Sequence, residues 1–167
     1  MMNAQNTYRR IAFVFTAAFA LLAGYPADSQ NSKTTIGRVE WITLPEFKLK
    51  LEARIDTGAR NCSLHSFNEK ETESNGRKYI EFSTLDAKNN EIRLKAAIVK
   101  MKTIKSTGGS SQRRYVIKST VLLGKEAKEV FITLNDRSNL EYRFLVGRNL
   151  LRGKFVVDVS RSHLLDK

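Results

Sequence analysis

Polar and apolar side chains alternate in short bursts broken by turn signals, and this feature most limits what the chain can fold into. GRVEWITL (37–44) carries the pattern until Pro45-Glu46 breaks it, and KLKLEARI (48–55) resumes it. A two-residue period puts neighbouring side chains on opposite faces of a strand and leaves a helix without an apolar stripe. YIEFSTL (79–85) and EIRLKAAIV (91–99) repeat the pattern and are joined by DAKNN, a hairpin signal. VKMKTI (99–104) and YVIKSTVLL (115–123) flank STGGSS (106–111), which reads as a flexible tip. GKEAKE turns into VFITL (130–134), NDRSNLEY is a loop, FLV (144–146) a short apolar strand and KFVVDV (154–159) a last strand. NEKETESNGRK (68–78) is polar and turn-rich and is expected to be a surface loop. A short helix is expected around Asn149–Arg152. The fold class is therefore all-β, with one small helix near the C-terminus.

The N-terminal segment follows different rules. Tyr8-Arg9-Arg10 is a short basic start, and IAFVFTAAFALLA (11–23) carries no charge. That run has the length of a signal-peptide core and falls short of the roughly 20 residues that span a bilayer. Ala27-Asp28-Ser29 places small residues at the positions a signal peptidase reads for a cut after Ser29. We expect a signal peptide at 1–29, a polar tether at 30–35 and one domain at 36–167. The location expected is periplasmic or otherwise exported, with no membrane span in the mature form. An uncleaved inner-membrane anchor is the alternative, and it exports the domain equally well. The 167 residues suffice for one domain with a real core, and no internal repeat or low-complexity tract is visible.

Charge narrows the partners. The formal net charge is +12; residues 1–29 hold two arginines and one aspartate, so +11 belongs to the remainder. A basic surface suits nucleic acid, anionic lipid or acidic polypeptide. The cations are scattered and no zinc-finger or helix-turn-helix spacing occurs, so nucleic acid is not expected. Cys62, the single cysteine, cannot make an internal disulfide and is expected to be buried.

Two motifs carry chemistry. Asp56-Thr57-Gly58-Ala59 follows an alternating strand. Alone it reads equally as a β-turn, with Asp capping and Gly supplying a positive φ. Far downstream, FLVGRNLL (144–151) is an apolar strand, a glycine and then Arg-Asn opening a short helix. The pair resembles the retropepsins, the retroviral-type aspartic proteases. RIDTGARNCSLH with LLRGKFVVDVSRSHLL more closely resembles a bacterial family of retropepsin-like aspartic peptidases, formerly labelled ATP-dependent zinc proteases. The resemblance covers Ile36 to Leu165.

The resemblance implies a closed β-barrel or sandwich and an aspartic mechanism. A pepsin-like site needs two carboxylates that share one proton and hold a water. One Asp-Thr-Gly per chain therefore implies a homodimer with Asp56 of each subunit meeting at a two-fold axis. Thr57 would brace the two loops, and Gly58 would let backbone approach a bound peptide. Ala59 and Arg60 would line the substrate. STGGSS, with Gly108 and Gly109, would form a flap tip. Gly147 would end the strand, Asn149 would cap the helix, and Arg148 would be buried behind the loop and need an acidic partner. Retroviral enzymes carry acidic residues soon after this motif; here Arg60 and Asn61 stand instead. Asp158 is then the nearest candidate partner for Arg148, and Arg60 is free to favour acidic side chains of a substrate. Related cytoplasmic members are associated with ligases that add glutamate tails, which implies trimming of such tails.

No cofactor or metal is expected. Cys62 and His65 have C-x-x-H spacing, but zinc needs three or four ligands, and His163 is the only further histidine. His65 is expected to be structural or to sit behind Asp56. A nucleotide-binding G-x-x-x-x-G-K-[ST] loop is absent from the sequence. Two other readings are kept: a non-catalytic module that binds peptides or anionic envelope polymers, and a zinc-dependent peptidase.

Overall fold

The alternation in KLKLEARI becomes a strand whose odd positions, Leu49, Leu51, Ala53 and Ile55, are buried while Lys50 and Arg54 face solvent. The computed structural model describes residues 32–105 and 111–165. In chain order, β1 (Thr34–Gly37) and β2 (Val39–Leu44) lead through a single turn of 3-10 helix at Pro45–Phe47 into β3 (Leu49–Ile55). β4 (Cys62–His65), β5 (Phe67–Ser74), β6 (Arg77–Leu85) and β7 (Glu91–Ala97) follow, then the hairpin strands β8 (Lys100–Lys105) and β9 (Ser111–Leu123). β10 (Glu126–Asn135), β11 (Phe144–Val146), α1 (Arg148–Leu151) and β12 (Phe155–Asp158) complete it.

The strands β10-β4-β11-β3-β2-β9 are hydrogen-bonded in that order, and β9 pairs back onto β10. Six strands thus close a barrel, as expected for the all-β class, with β8 extending from β9 as the outer half of a hairpin. Closure removes sheet edges. The interior is filled by Ile42, Leu51, Leu64, Ile117, Leu123, Ile132, Leu134 and Phe144. A separate sheet, β5-β6-β7, lends Ile80 and Phe82 to the same core.

Residues 68–78 are not a loop. They form most of β5, a turn and the start of β6, paired from Lys70↔Glu81 to Ser74↔Arg77. Asn75 (φ 51°) and Gly76 (φ 70°) make the two-residue turn, both with the positive φ that an Asn-Gly hairpin supplies. β5 is exposed along nearly its whole length, so neither face leaves an apolar signature. The segment expected to be a tether is also ordered from Thr34, because Thr34 and Thr35 pair in parallel with Phe155 and Val156 of β12. The helix spans Arg148–Leu151, one residue earlier than expected.

A buried carboxylate ties the two ends of the domain together. Glu40 is fully buried. Its Oε1 accepts the N–H groups of Gly37 (2.6 Å) and Leu164 (3.0 Å), and its Oε2 accepts that of Leu165 (3.3 Å). Arg38 N–H donates to the Arg161 carbonyl and His163 N–H to the Val39 carbonyl, each at 2.8 Å. Glu40→Ala would leave three N–H groups unpaired, and each buried one costs about 1–3 kcal/mol. We predict a loss of about 3 kcal/mol in urea unfolding; a loss below about 1 kcal/mol would show that the tail does not need this anchor.

Candidate active site

β3 and β4 are consecutive in the chain but not neighbours in the barrel. β11 lies between them, parallel to β3 and antiparallel to β4. The connecting residues 56–61 must therefore pass over the end of β11. Asp56 N–H donates to the Val146 carbonyl (2.9 Å), which anchors the loop where it leaves β3. Asp56 is half-buried, while Thr57 and Gly58 are exposed. Asp56 Oδ1 accepts the N–H groups of Gly58 (2.8 Å) and Ala59 (3.0 Å). One oxygen thus folds the turn, and Oδ2 takes no part in it. Turn formation and a presented carboxylate, alternatives in the sequence, are combined in one residue.

Glycine at 58 is not required for a positive φ, since the positive-φ glycines among the described residues are Gly76, Gly124 and Gly153. Space there is tight instead: a Cβ would stand 3.2 Å from Asp56 Oδ1, so the carboxylate would have to shift by a few tenths of an ångström. Gly147, at the end of β11, is tighter. A Cβ on it would lie 2.5 Å from both C and O of Asn61, so no other residue allows the loop to cross.

The GRN segment holds the loop from beneath. Arg148 and Asn149 donate their N–H groups to the carbonyls of Ala59 (2.9 Å) and Arg60 (3.2 Å). Arg148 Nη1 donates to the carbonyls of Thr57 (3.1 Å) and Gly58 (2.6 Å). The expected buried arginine with an acidic partner is not found. Arg148 is exposed, its partners are backbone oxygens, and Asp158 is engaged by the Ser160 N–H and hydroxyl. Nor does Asn149 cap α1; the cap position is Gly147, without a side-chain bond. Asn149 instead bridges strands, accepting from Cys62 N–H (3.0 Å) and Sγ (3.2 Å) and donating to the Phe131 carbonyl (2.8 Å).

Cys62 is fully buried, and burial pushes its thiol up to about 11. Its sulfur receives the Gly147 N–H (3.5 Å). It is neither a ready thiolate nor an open metal ligand. His65 is buried too, but three positions away on a strand it faces the other way. Among the described residues no three His, Cys, Asp or Glu side chains cluster as metal ligands would.

His65 does not back Asp56. Its Nδ1 accepts the Arg137 N–H (2.9 Å) and so fixes loop 136–143, which leads into β11. That bond needs an unprotonated Nδ1. Burial lowers the His65 pKa most and Arg143 next; Asp136 at 3.8 Å pulls the other way, and Arg137 adds a smaller lowering. Arg137 is a site residue the sequence reading missed. It is only 7% exposed, and its Nε donates to the Tyr142 carbonyl (3.0 Å). Burial pulls its guanidinium down, the nearby Asp56 charge pulls it up, and Arg114 pushes it down again. Among the described residues no carboxylate lies within ion-pair distance of it. Its signal was weak: one arginine in a polar loop. Arg60 is exposed and close enough to Lys102 of β8 that, after burial and Lys100, it lowers that lysine's pKa. Cations of the β8 strand and of the Asp56 loop thus lie near one another. Gly108 and Gly109, expected at the flap tip, lie outside the described residues.

Comparison with known proteins agrees with this geometry. The model of the RimB-like family, described as retropepsin-like aspartic endopeptidase RimB, matches residues 35–167. The chain is 35% identical over 139 residues to a probable alpha-L-glutamate ligase of Shewanella pealeana, covering 81% of this chain and 30% of that protein. A protein of the same name from Parasynechococcus marenigrum is 33% identical over 137 residues, covering 80% and 29%. The chain thus spans about 30% of the length of these curated relatives. A solved structure from Legionella pneumophila, of unknown function, matches with a TM-score of 0.68 and 27% identity, over 80% of this chain and 99% of that one.

Two predictions come from this geometry. Gly147→Ala would force the loop off β11, costing about 2–3 kcal/mol in thermal or urea unfolding; unchanged stability would mean that the loop crosses with room to spare. The lowered His65 pKa means stability is full above the ordinary value of about 6.5 and lost as pH falls through the folded value. The unfolding midpoint should therefore drop between pH 7.5 and 5.5. His65→Asn, which can still accept but cannot titrate, should flatten that drop.

Proposed function

The chain belongs to the RimB-like family of retropepsin-like aspartic endopeptidases, and from that premise we propose that it is an exported, homodimeric aspartic peptidase. The observation that carries the reading is Asp56: half-buried at the end of β3, one carboxylate oxygen held by two N–H groups, the other not used by the turn. One such loop is half of a pepsin-like site. Two copies facing each other across a two-fold axis would complete it, with the exposed Thr57 and Gly58 at the contact. The paired carboxylates would hold one proton between them and titrate as a unit. One takes a proton from the bound water as that water attacks the amide carbon. The shared proton goes to the carbonyl oxygen. The tetrahedral species then collapses: the dyad gives its proton to the leaving amine and takes one back from a hydroxyl of the intermediate as the C=O re-forms and the C–N bond breaks. The reaction needs no metal or cofactor.

Acidic, glutamate-rich polypeptide is the proposed substrate. Arg60 is a cation of the Asp56 loop itself, and Arg137 is near enough to feel the Asp56 charge. The glutamate ligase name belongs to relatives of which this chain matches less than a third; in our reading the polymer carries over and the ligation does not. Export rests on the charge-free run Ile11–Ala23.

Asp56→Asn should abolish cleavage of a mixed peptide pool, read by mass spectrometry, while unfolding with wild-type cooperativity. Sedimentation should show a dimer in the active preparation. Cleavage that survives in Asp56→Asn, or activity confined to a strict monomer, would overturn the shared-carboxylate mechanism.

A further inference from the structure

A cavity of about 660 Å³ opens beside the Asp56 loop, lined by Arg60, Asn61, Lys128, Arg148, Asn149 and Arg152. It joins three elements: the loop itself, the helix α1 with the residue that follows it, and β10. Four of its six lining residues are cations and none is an acid. Among the described residues none of the four is in an ion pair. The lysine's field reaches inward far enough to oppose the upward shift of the buried Cys62 thiol. Like charges gathered around one concavity repel each other, and the arrangement is relieved when an anion enters.

The cavity is continuous with the catalytic loop in a physical sense. Arg148 forms part of its wall while its Nη1 holds the carbonyls of Thr57 and Gly58. Arg60 lines it and is also near enough to Lys102 of β8 to lower that lysine's pKa, after burial and Lys100. Two asparagine amides offer further polar contacts, though the Asn149 side chain is already committed to Cys62 and Phe131. The size falls in the range of small-ligand pockets, about 300–1,000 Å³, larger than one carboxylate fills.

We propose that this cavity is an acidic subsite at one end of the substrate cleft, taking two or more carboxylates of a glutamate run that continues beyond the scissile bond. This rests on the peptidase reading and adds a place of recognition to it. In an extended peptide, alternate side chains fall on one face about 6.6–6.8 Å apart, so carboxylates two residues apart can enter the cavity together. Lys128 and Arg152 are the discriminating residues, because they lie outside the Asp56 loop and hold none of its carbonyls.

The test uses the full-length protein carrying Asp56→Asn, so that the probe survives. Hexaglutamate and hexaglutamine peptides are titrated by calorimetry at low and high salt, with inorganic phosphate as a separate arm. Hexaglutamate should bind more tightly than hexaglutamine and weaken with salt. Lys128→Gln and Arg152→Gln should each weaken it by about fivefold, the upper range for one exposed charge pair. Lys88→Gln, the same charge change in the 86–90 turn, should not. Equal weakening by Lys88→Gln, no difference between the peptides, or phosphate binding as tightly as hexaglutamate would overturn the proposal. The two readings fail separately. Asp56-dependent cutting of neutral peptides without hexaglutamate binding sinks the subsite alone; hexaglutamate binding without any cutting by the wild type sinks the peptidase alone.

Discussion

The structure of the site depends on one crossing. A strand inserted between two consecutive strands forces their connection to travel over its end, and the connection can do so only if the strand stops in something with no side chain. Gly147 meets that condition, with a Cβ barred at 2.5 Å by the Asn61 backbone. Everything around the crossing is a consequence. The N–H groups of Arg148 and Asn149 point at the carbonyls that pass above them. The N–H of Asp56 is caught by Val146 as the loop departs. The carboxylate is thus set by backbone packing and not by a salt bridge. Because backbone groups make the frame, the side chains in it are left to other work.

What those side chains share is positive charge with no ion pair among the described residues. Arg148 and Arg137 each donate to main-chain carbonyls, one under the Asp56 loop and one within the loop that leads into β11. A carbonyl accepts a hydrogen bond but cancels no charge. An arginine satisfied in this way is held in place and remains a cation toward anything that approaches. The ordinary way to keep a buried guanidinium is an acidic partner. Arg60 and Asn61 offer Arg148 no acid from the loop it holds, and backbone carbonyls serve instead.

The legible parts of the fold were those where one face is buried. β3, with Leu49, Leu51, Ala53 and Ile55 inward, could be read directly, and so could β11 and the turn into α1. β5 could not, because a strand solvated on both faces has no alternation; only Asn75-Gly76 marked it, and it was read as a loop instead of a hairpin. In the site, Asp56 and Gly147 are legible as the turn residue and the strand end; Gly58 stands in the same turn without the positive φ the sequence suggests. Arg148 lies against the loop but is exposed and on carbonyls, not buried on an acid, and backbone acceptors leave no trace in side-chain identity. Arg137, His65 and Glu40 act across 72, 72 and 124 residues of chain. Contacts of that span follow from barrel closure and from the return of the C-terminal tail to β2, which no local pattern encodes.

His65 shows how far the consequences of closure reach. β4 and β10 pair in parallel, with His65 opposite Asn135, so the last residue of one strand sits where the other gives way to loop 136–143. A neutral imidazole there accepts the Arg137 N–H and sets the direction in which the loop leaves the barrel. Arg137 then closes the loop on itself through Tyr142, and Arg143 Nη1 reaches back to the carbonyls of Arg137 and Ser138. Two of these three fastenings use cationic side chains on main-chain oxygens, the same device that Arg148 applies to the Asp56 loop. A site framed in this way can be rigid and strongly positive at once. A charge-neutral network would give the rigidity without the field. In the function proposed above, that combination has a use: the positive field would draw in acidic residues that Asp56 alone would repel.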